Sequence, residues 1–118
     1  VAVNENGGIA STVLDKRTVK QIEEFFGQKI FQKDICGSNL VGSCVEANGK
    51  SFVVNPKVSQ KEFEFLEKTF GATGVPTTVN YGDRFVGNDI VANNNGAIIG
   101  SITTTHEMIR IDEAFRRT

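Results

Sequence analysis

Residues 78–100 read TVNYGDRFVGNDIVANNNGAIIG. Val86, Ile90 and Val91 lie in an apolar run, Asn93-Asn94-Asn95-Gly96 makes a break, and Ala97-Ile98-Ile99 is apolar again. Asn and Gly tolerate the positive φ that a tight hairpin needs, so the spacing predicts strand, turn, strand. The same design stands 45 positions earlier, in residues 40–54, LVGSCVEANGKSFVV. Val41-Gly42-Ser43 answers Val86-Gly87-Asn88, and Ala47-Asn48 answers Ala92-Asn93. Residues 3–9, VNENGGI, give the turn a third time, with Asn4 standing 44 positions before Asn48.

The helices keep the same period. Val19, Ile22 and Phe26 are spaced as one face of an amphipathic helix. Phe63, Leu66 and Phe70 repeat that triplet 44 positions on, and Met108, Ile111 and Phe115 a further 45 on. Gly27 and Gly71 directly follow the first two triplets, where a helix C-terminal cap belongs. Ser59 with Glu62, and Thr104 with Glu107, have the spacing of a capping box; Asp15 or Thr18 is the expected cap of the first helix.

After the first helix, residues 29–35 alternate as a strand, and after the second, residues 74–79 take that role. Pro76 places the latter at a sheet edge or strand start, where no ladder donor is needed. Cys44 alternates within the predicted strand of its hairpin. The chain divides into units 1–35, 36–79 and 80–118, one repeat domain of α/β class with βαβ-type content. The first unit has little of its opening strand beyond Val1-Ala2-Val3, and the third ends at its helix and Arg116-Arg117-Thr118, which makes about two and a half units. A repeat unit cannot bury its apolar face alone. Two expectations stay open: the chain associates with another copy, as a homodimeric ring, or it is part of a longer protein.

The totals exclude several classes. The 118 residues suffice for one core. Thirteen basic residues against fourteen acidic argue against binding built mainly on nucleic-acid phosphates. Cys36 and Cys44 are too few for a disulfide scaffold and fit a reduced, intracellular setting. No apolar run approaches the length of a membrane span, and no signal-peptide pattern is seen.

Three segments carry a family resemblance: LVGSCVEANGKSFVVNPKVSQKEFEFLEK, TVNYGDRFVGNDIVANNNGAIIG and SITTTHEMIRIDEAF. With their TVN-plus-Gly stretch, VANxxGA turn and Thr-Thr pair before an acidic final helix, they resemble the C-terminal half of the translation initiation factor 6 family. Departures are Thr105-His106 before the last helix, Cys36 where a small residue is expected, and Glu46 where an apolar or small one is expected. The resemblance implies a pentein-type propeller of five repeated units. It also implies a non-enzyme that binds the large ribosomal subunit, through a ribosomal protein near the sarcin–ricin loop with minor rRNA contact. Such a factor blocks subunit joining and serves large-subunit biogenesis. It implies a cytoplasmic location, with nucleus and nucleolus added in a eukaryote, and no cofactor.

Repeated units project equivalent loops to one rim, and loops on a rigid scaffold carry binding groups. The candidate partner-binding residues are therefore Asn4, Glu5, Asn6, then Asn48, Gly49, Lys50, then Asn93, Asn94, Asn95. The plainer explanation is that each Asn only shapes its turn. Asp83-Arg84 is a weaker candidate, being more simply a solvated pair. Phe25 and Phe65 read as widening the apolar helix faces toward the core.

Penteins also include Cys-dependent guanidine-modifying hydrolases, which need a Cys nucleophile, a His base and carboxylates in one pocket. This chain has two Cys and a single His, His106, at a predicted helix start. That set makes neither a convincing catalytic centre nor a zinc site. No catalytic or metal-binding residue is expected, and a self-assembling scaffold is the remaining alternative.

Overall fold

The computed structural model describes residues 1–116. Arg117 and Thr118, read above as the end of the third unit, lie outside the described residues. The chain runs β1 (Ala2–Asn4), β2 (Gly7–Ala10), α1 (Lys16–Phe26), β3 (Ile30–Gln32), α2 (Val41–Cys44), β4 (Val45–Ala47) and β5 (Ser51–Val54). It continues with α3 (Gln60–Phe70), β6 (Thr73–Pro76), a 3-10 turn (Val86–Asn88), β7 (Ile90–Asn93), β8 (Gly96–Ile99) and α4 (Thr105–Phe115).

Three small sheets result, ordered β1-β2-β3, β4-β5-β6 and β7-β8. In each, a hairpin joins two antiparallel strands. In the first two, the helix returns the chain as a third strand parallel to the second, which is the βαβ element expected. Pro76 ends β6, an edge strand, and so removes no ladder donor from the sheet interior. The sheets form separate ladders, and no sheet closes on itself among the described residues.

The helix termini follow the sequence closely. Asp15 caps α1 by accepting from the Thr18 N–H at 2.7 Å. Ser59–Glu62 and Thr104–Glu107 form complete capping boxes. Gly27 and Gly71 end α1 and α3 in the left-handed conformation.

Packing explains how the units stack. Ile9 of β2, Phe52 and Val54 of β5, and Leu66 and Phe70 of α3 share one buried cluster. Val53 of β5, Val75 of β6, Ile90 of β7, and Ile111 and Ala114 of α4 share a second. Each of α3 and α4 therefore lies between the sheet of its own unit and the sheet of the unit before it. Val53 and Val54, adjacent in sequence, point to opposite faces of β5 and enter different clusters, as the period of a strand requires. Helix α1 packs on its own sheet through Val19, with Ala10 and Ile30.

Several expectations are corrected. Val41–Cys44 and Val86–Asn88 are single helical turns, so Cys44 ends a turn and does not alternate within a strand. The reason is a close approach: a Cβ on Gly87 would stand 2.0 Å from the Gly42 carbonyl oxygen. The two turns thus stack backbone on backbone, which local alternation does not encode. The strand expected over 29–35 contracts to Ile30–Gln32, with Ile35 in an isolated bridge to Ser38; that over 74–79 becomes Thr73–Pro76, with Val79 bridged to Asp83. The first unit does have its opening strand, Ala2–Asn4. Phe25 is not core, being 82% exposed, and Phe26 and Met108 of the apolar triplets are exposed as well. Phe65 is half-buried, edge-on to Phe31 of the preceding sheet at 5.6 Å.

Candidate functional site

The three hairpin turns are built alike around one Asn. The Oδ1 of Asn4 accepts from the Asn6 N–H at 2.9 Å. The Oδ1 of Asn48 accepts from the Lys50 and Ser51 N–H groups, and that of Asn93 from the Asn95 and Gly96 N–H groups. This is the turn-shaping role of Asn. The amide does something further. Asn4 Nδ2 donates to the carbonyls of Asn48 and Phe70 in the next unit, at 2.9 and 2.8 Å. Asn48 Nδ2 donates to the Asn93 carbonyl at 3.3 Å. Asn4 and Asn48 are buried and bind unit to unit.

The turn tips then converge. Asn94 Oδ1 accepts from the Gly49 N–H at 2.7 Å, and its Nδ2 reaches Glu5 Oε1 at 3.4 Å. Residues 45 and 89 positions apart in sequence thereby form one patch. Gly49 is half-buried there, and a Cβ on it would collide with the Glu5 carboxylate. Asn6 Nδ2 donates to the Phe70 carbonyl at 3.0 Å. Of the nine candidate residues, Glu5, Asn6, Lys50, Asn93, Asn94 and Asn95 are exposed. The exposed surface is polar and mixed in charge.

Sequence reasoning missed a second repeated device, held by a carboxylate. Glu62 Oε2 accepts from the Cys36 N–H at 3.1 Å. Glu107, 45 positions later, accepts from the N–H groups of Tyr81 and Gly82 at 3.0 and 2.8 Å and from the Thr78 hydroxyl. Cys36 and Tyr81 have φ of 56° and 65°, so each carboxylate holds a left-handed turn. Both Glu residues were legible only as helix caps; the signal was the matching 45-residue offset of Cys36 and Tyr81. Burial acts to raise the Glu107 carboxyl, but the donors from Thr78, Thr104, Gly82 and Tyr81 outweigh it and hold the group at about 2. Between units, the half-buried Glu46 accepts from the Ala92 N–H, and burial pushes its carboxyl up.

The hydrolase chemistry finds poor material. Burial, then the neighbouring Cys44 and Glu62, push the Cys36 thiol up to about 12, so little thiolate forms at neutral pH. His106 is exposed in the first turn of α4, which Thr104 caps. Among the described residues no group of three His, Cys, Asp or Glu side chains could hold a metal ion, and no helix is long and apolar enough to cross a membrane.

Fold and site together define an α/β repeat protein whose hairpin turns are locked into one rim. The model of the eIF-6 family matches residues 1–114, and the chain belongs to that family. It is similar to Translation initiation factor 6 of Thermoplasma acidophilum, 34% identical over 113 residues, covering 96% of this chain and 52% of that protein. The same factor of Pyrococcus horikoshii is 30% identical over 114 residues, covering 97% of this chain and 50% of that protein. That of Methanosarcina acetivorans is 31% identical over 114 residues, covering 97% and 52%. The chain thus spans about half the length of the curated relatives it matches.

Proposed function

We propose that this chain acts in translation initiation as a binding factor and not an enzyme. In this reading it docks on the large ribosomal subunit and keeps the small subunit from joining. The observation that carries the proposal is the family match across residues 1–114, together with the name Translation initiation factor 6 borne by the relatives. The three units would be blades of a five-bladed pentein propeller. The converged turn tips would form part of the docking rim, with Glu5, Lys50, Asn94 and Asn95 offering donors and acceptors to a ribosomal protein near the sarcin–ricin loop. The near balance of 13 basic and 14 acidic residues favours a protein docking site over a phosphate-dominated one. A role in large-subunit biogenesis, and a cytoplasmic location extended to the nucleus in a eukaryote, accompany this reading.

The test is co-sedimentation of the 118-residue chain with purified large subunits through a sucrose cushion, small subunits serving as control. Selective pelleting with the large subunit is expected. Replacing Lys50 and Asn95 with Glu and Asp should reduce it without altering the fold, since both side chains are exposed. A folded chain that pellets with neither subunit, or equally with both, contradicts the proposal.

A further inference from the structure

The outer wall of the first unit carries a groove of about 370 Å³ between helix α1 and the edge strand β3. Lys16 and Lys20, one turn apart on α1, line it from the helix side. Lys29, just before β3, and Phe31 of β3 line it from the strand side. All three lysines are exposed, and Phe31 is 41% exposed. The acids nearby are engaged elsewhere. Asp15 accepts from the Thr18 N–H, Glu23 from the Ile30 N–H at 2.9 Å, and Asp34 from the N–H and hydroxyl of Thr12. Glu24 stands one turn beyond Lys20. No ion pair joins these lysines to a carboxylate among the described residues, where Arg110–Glu113 and Arg116–Asp112 are the pairs formed, both at α4.

The wall is open for reasons other than its place near the start of the chain. Helix α3 has a sheet on either side, and there the counterparts of Lys16 and Lys20 are Gln60 and Glu64, 44 positions on; both are exposed. Strand β3 already meets the unit that follows it, since Phe31 packs edge-on to Phe65 of α3. The repeat thus leaves this wall to solvent and prescribes no charge for it. Where the first unit has Lys20, the second has Glu64 and the third Ile109. The positive charge is peculiar to the first unit, in a chain whose formal net charge is -1.

Unpaired cations beside an exposed aromatic ring fit an unpaired nucleic-acid strand, whose phosphates take the lysines and whose bases stack on the ring. Lys29 Nζ lies over the Phe31 ring, 5.6 Å from its centroid. A cation–π contact in water is weak, so a phosphate can draw the ammonium aside and leave the ring face to a base. An acidic peptide would use the lysines but not the flat ring, and a duplex keeps its bases stacked on one another. We propose that the α1–β3 groove binds a single-stranded nucleic-acid segment, with Lys16, Lys20 and Lys29 on its phosphates and Phe31 against a base. The groove shares no residue with the turn-tip rim of Glu5, Lys50, Asn94 and Asn95, and is a second surface beside it.

Fluorescence anisotropy of a labelled single-stranded RNA of about 12 nucleotides, titrated with the 118-residue chain, tests the site without ribosomes. The expected dissociation constant is on the order of 10–100 μM at about 50 mM salt, with a log–log salt slope of about −2 for the three lysines. The Lys16→Gln, Lys20→Gln double variant should bind on the order of 10-fold more weakly, with a slope of about −0.7. Both positions are exposed, so its circular dichroism and cooperative unfolding should match the parent's. Phe31→Ala should lose affinity on the order of 10-fold at an unchanged slope, because stacking releases no counterions. Lys50→Gln on the rim is the charge control and should change affinity by less than about twofold. Anisotropy that stays flat to about 500 μM chain overturns the proposal, as does a double variant with the parent's affinity and slope. So does displacement of the strand by oligoglutamate or by an RNA duplex at equal charge.

Discussion

The junction between the first and second units and the junction between the second and third share a geometry and differ in chemistry. At the first, aromatic and branched side chains fill the space: Phe70 and Leu66 of α3 lie with Ile9 and Phe52, and Phe52 meets the rings of Phe63 and Phe70 at 5.7 and 5.5 Å. At the second, Ile111 and Ala114 of α4 lie with the smaller Val53 and Val75. Polar contacts supplement them: Ser51 donates to the Ala114 carbonyl, Arg110 to the Pro76 carbonyl at 3.0 Å, and the Ala92 N–H to Glu46. The repeat therefore fixes where a helix meets a sheet, while each junction closes that contact in its own way. Both junctions carry hydrogen bonds, Asn4 and Asn6 donating to the Phe70 carbonyl at the first; what sets the first apart is its buried aromatic volume, where the second has smaller side chains.

The largest effect should come from volume. Phe70→Ala empties a fully buried site and should cost about 4 kcal/mol, whereas Phe115→Ala, at a half-buried counterpart, should cost about 1–2 kcal/mol. Denaturant titration of both variants checks the asymmetry; equal losses would mean the two junctions carry the same load. Next comes close approach. Gly7→Ala must move the α3 backbone, since the Thr69 carbonyl is 2.8 Å from the new Cβ, and should cost about 2–3 kcal/mol. Gly96→Ala, in open space, should be nearly silent in the same titration.

The turn carboxylate adds a pH dependence. The Glu107 carboxyl lies at about 2 in the fold and near its ordinary value of 4.5 when unfolded, so its contribution is complete above about pH 4.5. It is lost as pH falls from there toward about 2. Glu107→Gln should remove that acid limb and cost on the order of 2 kcal/mol at neutral pH, measured by urea midpoints across pH. Ser51→Ala should follow with a smaller loss than that of Glu107→Gln. It leaves the Ala114 carbonyl without its hydroxyl donor and should cost about 1 kcal/mol, read from the thermal midpoint.

What the sequence disclosed was what depends on local spacing. The 44- and 45-residue offsets of the Asn turns and apolar triplets located the hairpins and helices, and Ser59, Thr104, Gly27 and Gly71 located helix ends. What it concealed was tertiary. Whether Val41–Cys44 coils or extends depends on Gly42 meeting Gly87, which lies 45 residues away. Phe25 has the spacing of a widened core face, but burial needs a facing sheet that its own helix cannot specify. The turn Asn residues were placed on the rim together, yet the amides of Asn4 and Asn48 turn inward to neighbouring carbonyls. Only the structure separates them from Glu5, Lys50 and Asn95, which remain exposed.

The most direct test of the functional account is a subunit-joining assay followed by light scattering, with large subunits incubated with excess chain before small subunits are added. The account predicts that joining is suppressed in proportion to the chain bound, and that exchanging Lys50 and Asn95 for acidic residues relieves the block. Joining that proceeds at its normal extent on large subunits saturated with the chain would contradict it.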